Sequence, residues 1–327
     1  MDTAKLNSNI ATMRQPKNFL PALSALVLAA VFEVLNPNFF SYTNLVSLSN
    51  TFGILLLLSV GGTFVIMMAS IDLSIIGTFA AVGVFTAIAW LPSTNGGWGL
   101  GYLAILIGLA MGLGLGLING IIFAYTNIPS FIVTIATSIA YGGLALEPTG
   151  GLGKWVWDPN FRAISISTVG GVPLLIVWAL IVFVVMLFLA FRTTFGRRTY
   201  AIGANLEAAK RAGILVARHR VIVFAICGFI AGLAGILFVG WGVHAGPDAG
   251  SDLFLPAIAA MVVAGNPVTG GLGGPHRTFV GALLLSILSN GLALLSVQIN
   301  AQTVIFGIVV VCAIMATTDR SRVKYIR

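Results

Sequence analysis

The sequence has very few charged residues: Asp, Glu, Lys and Arg make up 8% of its 327 residues, against about 25% in a typical soluble protein. Apolar residues make up 58%, so a soluble fold of this size would lack the polar groups to cover its surface, and a disordered chain is excluded as well. Only two cysteines occur, Cys227 and Cys312, both within apolar runs, which excludes a disulfide-rich scaffold. The composition predicts an all-α, polytopic membrane protein.

Sequence patterns that carry chemistry are also lacking. Residues 150–155 look like a phosphate-binding loop, but Pro148 stands at its first glycine position and Trp155 where Ser or Thr must reach magnesium. We therefore expect no ATP site in this chain. The three histidines are too scattered for a metal site, and no arrangement of catalytic residues indicates an enzyme, so we expect no metal and no cofactor. No basic segment is interleaved with aromatics, so nucleic acid is not an expected partner.

Ten apolar runs approach the length of about 20 residues that a transmembrane helix needs. They are Phe19–Leu35, Thr51–Ala69, Leu73–Leu91, Leu100–Tyr125, Ser130–Leu146, Pro173–Phe191, Val221–Trp241, Leu253–Gly265, Thr278–Val297 and Gln302–Thr317. The run from Leu253 is too short to span fully and contains Pro256, so it predicts a half-helix or a re-entrant segment.

Basic residues form three clusters, within residues 5–17, 192–220 and 320–327. Short loops rich in Lys and Arg stay in the cytoplasm. Six runs precede the central cluster and four follow it, so an even number of crossings separates the clusters. We predict a cytoplasmic segment 1–18, a single transmembrane domain 19–317 with a cytoplasmic loop 192–220, and a cytoplasmic basic tail 318–327. The net charge of +8 then fits contact with the anionic headgroups of a lipid bilayer.

The central loop predicts a short helix over residues 206–212, capped by Asn205 and ended by Gly213. Its charges follow the helix dipole, with an acidic first turn and a basic last turn: Glu207, Lys210 and Arg211. A helix this short is marginal alone. Two interpretations stay open: a docking helix for a cytoplasmic partner, and a solvated basic loop.

Two further features have alternative interpretations. Asp72, between the second and third runs, is either a cap that accepts backbone N–H bonds of the third helix or a functional gate residue. Glycines at four-residue spacing in the fourth run, and a similar set in the seventh, indicate close helix packing or a flexible gate. They are Gly108, Gly112, Gly116, Gly120, Gly228, Gly232 and Gly235.

The central loop reads FGRRTYAIGANLEAA over residues 195–209 and continues with Gly213-Ile214. Four further motifs occur elsewhere in the chain: TFVI at residues 63–66, IDLS at 71–74, PSFIVT at 129–134 and AIAA at 257–260. Together these segments closely resemble the ribose-type ABC transporter permeases, in which the motifs follow one another in the same order. The resemblance implies a coupling loop that contacts an ATPase, with Gly196, Arg197, Tyr200, Gly203, Asn205, Glu207, Ala208, Ala209, Lys210, Arg211 and Gly213 as its residues.

The resemblance implies a subunit that forms the translocation path of a sugar importer in the bacterial cell (inner) membrane. Expected partners are a cytoplasmic ATP-binding subunit, an extracytoplasmic solute-binding protein and a second permease, either a copy or a paralogue. The alternatives are a permease for branched-chain amino acids and a ten-helix secondary metabolite transporter, with a membrane enzyme the remotest. The loop motif favours the sugar type.

The chain departs from the family pattern at several positions. Phe254 and Pro256 stand where the pattern has Glu and Asp, Leu272 replaces an Arg, and Ala69-Ser70 replaces Gly-Gly. A partner permease that retains the polar groups could compensate for their loss, so a heterodimer is an alternative to the homodimer.

Overall fold

The computed structural model describes residues 20–317. The predicted cytoplasmic segment 1–18 and the basic tail 318–327 lie outside the described residues. Within them, ten apolar helices correspond one to one with the ten predicted runs: α1 Leu20–Leu35, α2 Tyr42–Met67, α3 Ile75–Trp90, α4 Leu103–Thr126, α5 Ser130–Leu146, α7 Leu174–Arg192, α10 Val216–Gly242, α11 Phe254–Val263, α12 Pro275–Leu294 and α13 Ile299–Thr317.

Six of these helices are long and apolar enough to cross a membrane: α2, α4, α5, α7, α10 and α12. The other four are shorter apolar helices or carry a shorter apolar stretch. The prediction of a half-helix after Leu253 is confirmed, because α11 has 10 residues and spans only about 15 Å. Three shorter helices, α6 Pro159–Ile166, α8 Thr194–Ala204 and α9 Leu206–Arg211, lie between the apolar helices.

Helix α2 forms the centre of the bundle, with every residue from Phe52 to Met67 buried. It begins nine residues before the predicted run, because the Ser41 hydroxyl caps it by accepting the backbone N–H of Asn44 at 3.4 Å. The side chain of Asn44 is itself buried and donates to the Asn290 side chain of α12 at 3.0 Å. Polar residues therefore extend a helix that hydrophobicity alone would shorten.

Helices α4 and α10 pack along a seam of glycines. A Cβ at Gly112 would lie 2.7 Å from the carbonyl oxygen of Gly228 and 3.2 Å from the Cα of Gly232. A Cβ at Gly116 would collide with the carbonyl of Phe224 in the same way. The packing interpretation of these glycines is confirmed, since only the absence of side chains allows the two backbones to approach this closely.

Two small sheets lie at the end of the bundle opposite α8 and α9. Strand β1 (Lys154–Trp155) pairs with β4 (His244–Ala245), and β2 (Thr168–Val169) pairs with β3 (Val172–Pro173), both antiparallel. The β1–β4 pair joins the loop after α5 to the end of α10. We call this the outer end and the opposite one the inner end.

Helix α3 is preceded by a non-helical segment, residues 68–74, inside the bundle. Its backbone N–H groups find side-chain acceptors: Ile71 donates to the Ser130 hydroxyl and Leu73 to the Thr134 hydroxyl, each at 3.0 Å. Non-helical backbone at membrane depth requires such partners, because no lipid group can replace water as an acceptor. A second irregular segment, residues 264–274, connects α11 to α12.

Candidate coupling site and translocation cavities

The predicted coupling loop folds into two helices, α8 and α9. The Thr193 hydroxyl caps α8 by accepting the N–H of Gly196 at 3.3 Å. Inside the bundle, the Thr199 hydroxyl is 2.8 Å from Nε2 of His219 in α10, with both residues buried. The Phe195 ring stacks on that of Phe64 at 5.6 Å. Helix α8 is therefore fixed to both α10 and α2.

Two glycines bring α8 against neighbouring backbone. A Cβ at Gly196 would collide with the carbonyls of Leu189 and Ala190, so glycine allows the sharp turn from α7 into α8. A Cβ at Gly203 would collide with the carbonyl of Met67, the last residue of α2, and approach the N–H of Gly271 to 2.5 Å. The site thus requires glycine at two of its predicted positions for close approach.

Tyr200 joins α8 to the segment 264–274. Its hydroxyl donates to the carbonyl of Gly273 at 2.7 Å, and burial raises the pKa of this phenol above its usual range, an effect that the nearby Arg277 guanidinium opposes. The N–H of Gly271 donates to the Met67 carbonyl at 2.9 Å. The end of α8, the end of α2 and the segment 264–274 therefore contact one another at one point.

Helix α9 has the cap and charges that its sequence predicts. The Asn205 side chain accepts the N–H of Ala208 at 3.0 Å, and Gly213 adopts the left-handed conformation (φ +77°) after the helix. Lys210 pairs with Glu207 at 2.8 Å on the solvent side. One side of the helix packs inward through Ala209, which is 3% exposed, so a helix of six residues is held by tertiary contact.

Burial divides the predicted coupling residues into two sets. Gly196 and Ala209 are buried and Tyr200 and Gly203 half-buried, and they anchor the loop. The remaining seven are exposed at the inner end: Arg197, Asn205, Glu207, Ala208, Lys210, Arg211 and Gly213. The exposed set presents one acidic and three basic side chains to whatever lies beyond the inner end.

Asp72 does not cap α3 as one interpretation predicted. Its carboxylate accepts the N–H of Ser74 at 2.9 Å and the Ser74 hydroxyl at 2.6 Å, and Ser74 itself is the N-cap residue, without a side-chain cap bond. Because Asp72 lies two residues before the cap, it closes a turn within the non-helical segment and does not reach the helical N–H groups. Asp72 is 5% exposed and lines a cavity.

A buried polar network supports Asp72, and sequence reasoning did not identify it. Asn119 of α4 donates to the Ser74 hydroxyl at 2.6 Å, and the Tyr141 hydroxyl of α5 donates to the Asn119 side-chain oxygen at 3.0 Å. The sequence indicates this network only through Asn119, a polar amide within the apolar fourth run. The network fixes the segment 68–74 between α4 and α5.

Three cavities lie in order from the outer to the inner end. Helices α2 and α11 contribute to the outer and middle cavities, and the segments 68–74 and 264–274 contribute to the inner one. The outer cavity is lined by Thr51, Asp252, Pro256, Ser289 and Gln302, among others. The middle cavity lies against Asp72, between the segment 68–74 and α11, and the inner cavity reaches Ser70, Phe123 and Arg220. Discontinuous helices that line cavities inside a membrane are typical of transporter pathways.

Comparison with known proteins agrees with this arrangement. Residues 44–314 match the family model described as the permease component of the branched-chain amino acid transport system. The chain is 34% identical to the ribose import permease of Bacillus subtilis (strain 168) over 306 residues, 92% of each protein. It is 32% identical to the D-allose transport system permease of Escherichia coli (strain K12), over 88% of this chain and 87% of that one.

A third relative, the xylose transport system permease of the same Escherichia coli strain, is 32% identical over 81% of this chain and 82% of its own length. The sequence-based resemblance is confirmed, and a secondary transporter is not favoured. The chain belongs to the family of ABC transporter permeases that includes the ribose, allose and xylose permeases.

Proposed function

We propose that this chain is the membrane-spanning permease subunit of an ATP-driven importer, and that it forms part of the path for a sugar in the bacterial inner membrane. The names of its relatives support a sugar as the solute. The proposed path follows the three cavities, from α2 and α11 in the outer half to the segments 68–74 and 264–274 at the inner end.

The inner end is the cytoplasmic side in this proposal. Of the described basic residues, only Lys154 and Arg162 lie at the outer end, whereas the inner end carries Arg192, Arg197, Arg198, Lys210, Arg211, Arg218, Arg220 and Arg277. This distribution supports a cytoplasmic inner end, because basic loops are retained there during insertion. Both termini are proposed to be cytoplasmic as well.

ATP hydrolysis is assigned to a separate cytoplasmic subunit, and solute delivery to an extracytoplasmic binding protein. A second permease, a copy or a paralogue, completes the path. The chain needs no cofactor of its own in this arrangement. Its proposed contribution to coupling is mechanical: it receives the movement of the ATP-binding subunit.

The observation that carries the proposal is the construction of α8 and α9. Their exposed side carries charged groups suited to a protein partner. The inner side of α8 contacts α2 through the close approach of Gly203, and it is hydrogen-bonded to α10 through Thr199 and to the segment 264–274 through Tyr200. A loop that merely faced water would not require three separate anchors to the bundle.

Charge reversal at Glu207 tests the proposal. Glu207→Lys places a positive charge in the first turn of α9, against the helix dipole, and breaks an exposed ion pair of at most about 1 kcal/mol. We expect normal insertion, loss of the co-purifying ATP-binding subunit and loss of ATP-driven uptake of ribose, allose or xylose. Glu147→Lys is the charge-reversal control, because Glu147 is an exposed carboxylate at the outer end, directly after α5.

The control should retain the ATP-binding subunit. If Glu207→Lys also retains it and transports normally, α9 is a solvated loop and the coupling assignment is wrong. Uptake of leucine in place of the three sugars by the wild-type importer would assign the chain to the branched-chain amino acid type.

A further inference from the structure

The inner cavity contains a cation without a counter-ion among the residues that the structure describes. Arg220, near the start of α10, is half-buried and lines this cavity. Its guanidinium carbon lies 4.4 Å from the centre of the Phe123 ring. Its Nε atom is buried and has no hydrogen-bond partner within residues 20–317. A guanidinium that is partly removed from water is stabilised by an anion that accepts its N–H groups.

No carboxylate within residues 20–317 forms an ion pair with Arg220. The ion pair of this part of the chain joins Lys210 to Glu207 on the exposed side of α9. Asp72 lies close in sequence to the cavity-lining Ser70, but its carboxylate is bonded to Ser74 and it lines the middle cavity instead. An anion for Arg220 would therefore come from outside the described chain.

The inner cavity has the space and the donors for such an anion. Its volume is about 260 Å³, against about 40 Å³ for the outer and about 30 Å³ for the middle cavity. Ser70 and Ser130 line it together with Arg220. The Ser130 hydroxyl accepts the N–H of Ile71 at 3.0 Å, which leaves its own proton available to a ligand. A guanidinium with hydroxyl donors beside it suits the oxygens of a phosphate group.

An exposed apolar stripe leads away from this cavity along α5. Phe131 lines the cavity and is itself exposed, and Ile135 and Ile139 follow it on the same face of the helix. From Phe131 to Ile139 the stripe extends about 12 Å toward the outer end. A free phosphate ion would make no contact with this stripe, whereas an acyl chain attached to the phosphate could cover it. The combination favours a phospholipid.

We propose that the inner cavity binds the phosphate of an anionic phospholipid, with Arg220 as its counter-ion and one acyl chain along the α5 stripe. Basic pockets between helices on the cytoplasmic side suit anionic headgroups. A headgroup with an ammonium group would instead bring a second cation into a cavity that no carboxylate lines. The proposal rests on the proposed function only for the choice of the cytoplasmic leaflet, and it adds a lipid that borders the inner end of the path.

Native mass spectrometry of the complete importer tests the headgroup preference. The delipidated importer in detergent is titrated with dioleoylphosphatidylglycerol and, separately, with dioleoylphosphatidylcholine, which has the same acyl chains. We expect tighter binding of the anionic lipid by wild type. In Arg220→Gln this affinity should fall about tenfold, the loss expected for one hydrogen bond to a charged group, with the affinity for phosphatidylcholine unchanged.

Arg218→Gln is the matched control, because Arg218 lies two residues earlier in α10, carries the same charge, is exposed and does not line the cavity. It should bind phosphatidylglycerol as wild type does. The lipid site is wrong if wild type shows no preference for phosphatidylglycerol, if Arg220→Gln keeps the wild-type affinity, or if Arg218→Gln loses as much.

Inorganic phosphate distinguishes a lipid site from a site for the free ion. Sodium phosphate at the same concentration as phosphatidylglycerol should not displace the lipid, because it lacks the acyl chain that contacts α5. Displacement at equal concentration would assign the cavity to free phosphate and overturn the lipid proposal.

Photo-labelling locates the acyl chain in wild type, so it does not depend on how the Arg220 variant folds. Phosphatidylglycerol with a diazirine in one acyl chain is added at one molecule per permease chain, and the labelled peptides are identified after irradiation. We expect the label within residues 131–139. Label on another exposed apolar face, such as that of Val184 and Val185 in α7, with none on α5, would contradict the proposal.

Neither measurement uses transport. A wild-type importer that carries none of ribose, allose and xylose would therefore contradict the proposed function and leave the lipid site intact.

Discussion

The glycine seam between α4 and α10 makes a quantitative prediction about Gly116. In Gly116→Ala the new methyl group would collide with the carbonyl of Phe224 and lie 3.0 Å from the Cα of Ala225. Both neighbouring atoms belong to the backbone of α10. No change of side-chain rotamer can therefore relieve the contact, and the two helices must separate. Overpacking of this kind costs about 1–3 kcal/mol.

Gly114 provides the matched control, because it lies in the same helix with nothing within 4 Å of its Cβ position. Gly114→Ala should be neutral, or stabilising by up to about 1 kcal/mol through helix propensity. The two variants, purified in detergent and heated, are compared by the fraction that remains monodisperse in size-exclusion chromatography. We expect Gly116→Ala to lose its folded peak several degrees below Gly114→Ala. If both variants lose the monodisperse peak at the same temperature, the two helices tolerate separation at the glycines, and their close approach does not stabilise the bundle.

Three further predictions address topology, backbone strain and assembly. A thiol reagent applied to intact cells should label cysteine introduced at Asn95 or Asp158 but not at Asn205, and external labelling at Asn205 would contradict the orientation. Ala69 adopts a left-handed conformation (φ +56°), which costs about 1–2 kcal/mol for a residue with a Cβ, so Ala69→Gly should raise the thermal midpoint; a lower midpoint would show that the alanine methyl group stabilises the contact with Gly270. Two differently tagged copies of this chain, expressed with the whole importer, should both be recovered in one complex if the path is a homodimer, whereas recovery of only one tag per complex indicates a heterodimer.

Much of the fold could be predicted from hydrophobicity because membrane helices must satisfy their own backbone. Helix α5 has the predicted bounds, Ser130–Leu146, since Pro129 and a polar loop limit it on both sides. Helix α2 is longer than predicted because its first turn contains Asn44, whose burial depends on a distant partner, Asn290 of α12. Helix α8 was missed because its residues are mixed in polarity and its stability comes from contact with α2 and α10.

The candidate coupling site likewise has features that the local sequence predicts and features that depend on distant residues. The cap at Asn205 and the left-handed Gly213 are local, so the sequence alone predicts α9 correctly. The contacts of Tyr200 with Gly273 and of Gly271 with Met67 join residues far apart in the chain, and no local pattern indicates them. For Asp72, sequence could place a carboxylate near the start of α3 but could not show that Ser74 takes the cap position.

Helix α10 has a consequence for communication across the membrane. Its 27 residues extend over about 40 Å; the inner end is bonded to α8 through His219, the middle is clamped along α4, and the outer end leads into β4. Helix α10 is continuous and packed closely against α4 along its middle. We therefore expect it to move as a rigid unit. Under the proposed function, movement of α8 at the inner end would reach the β1–β4 pair at the outer end through this one helix.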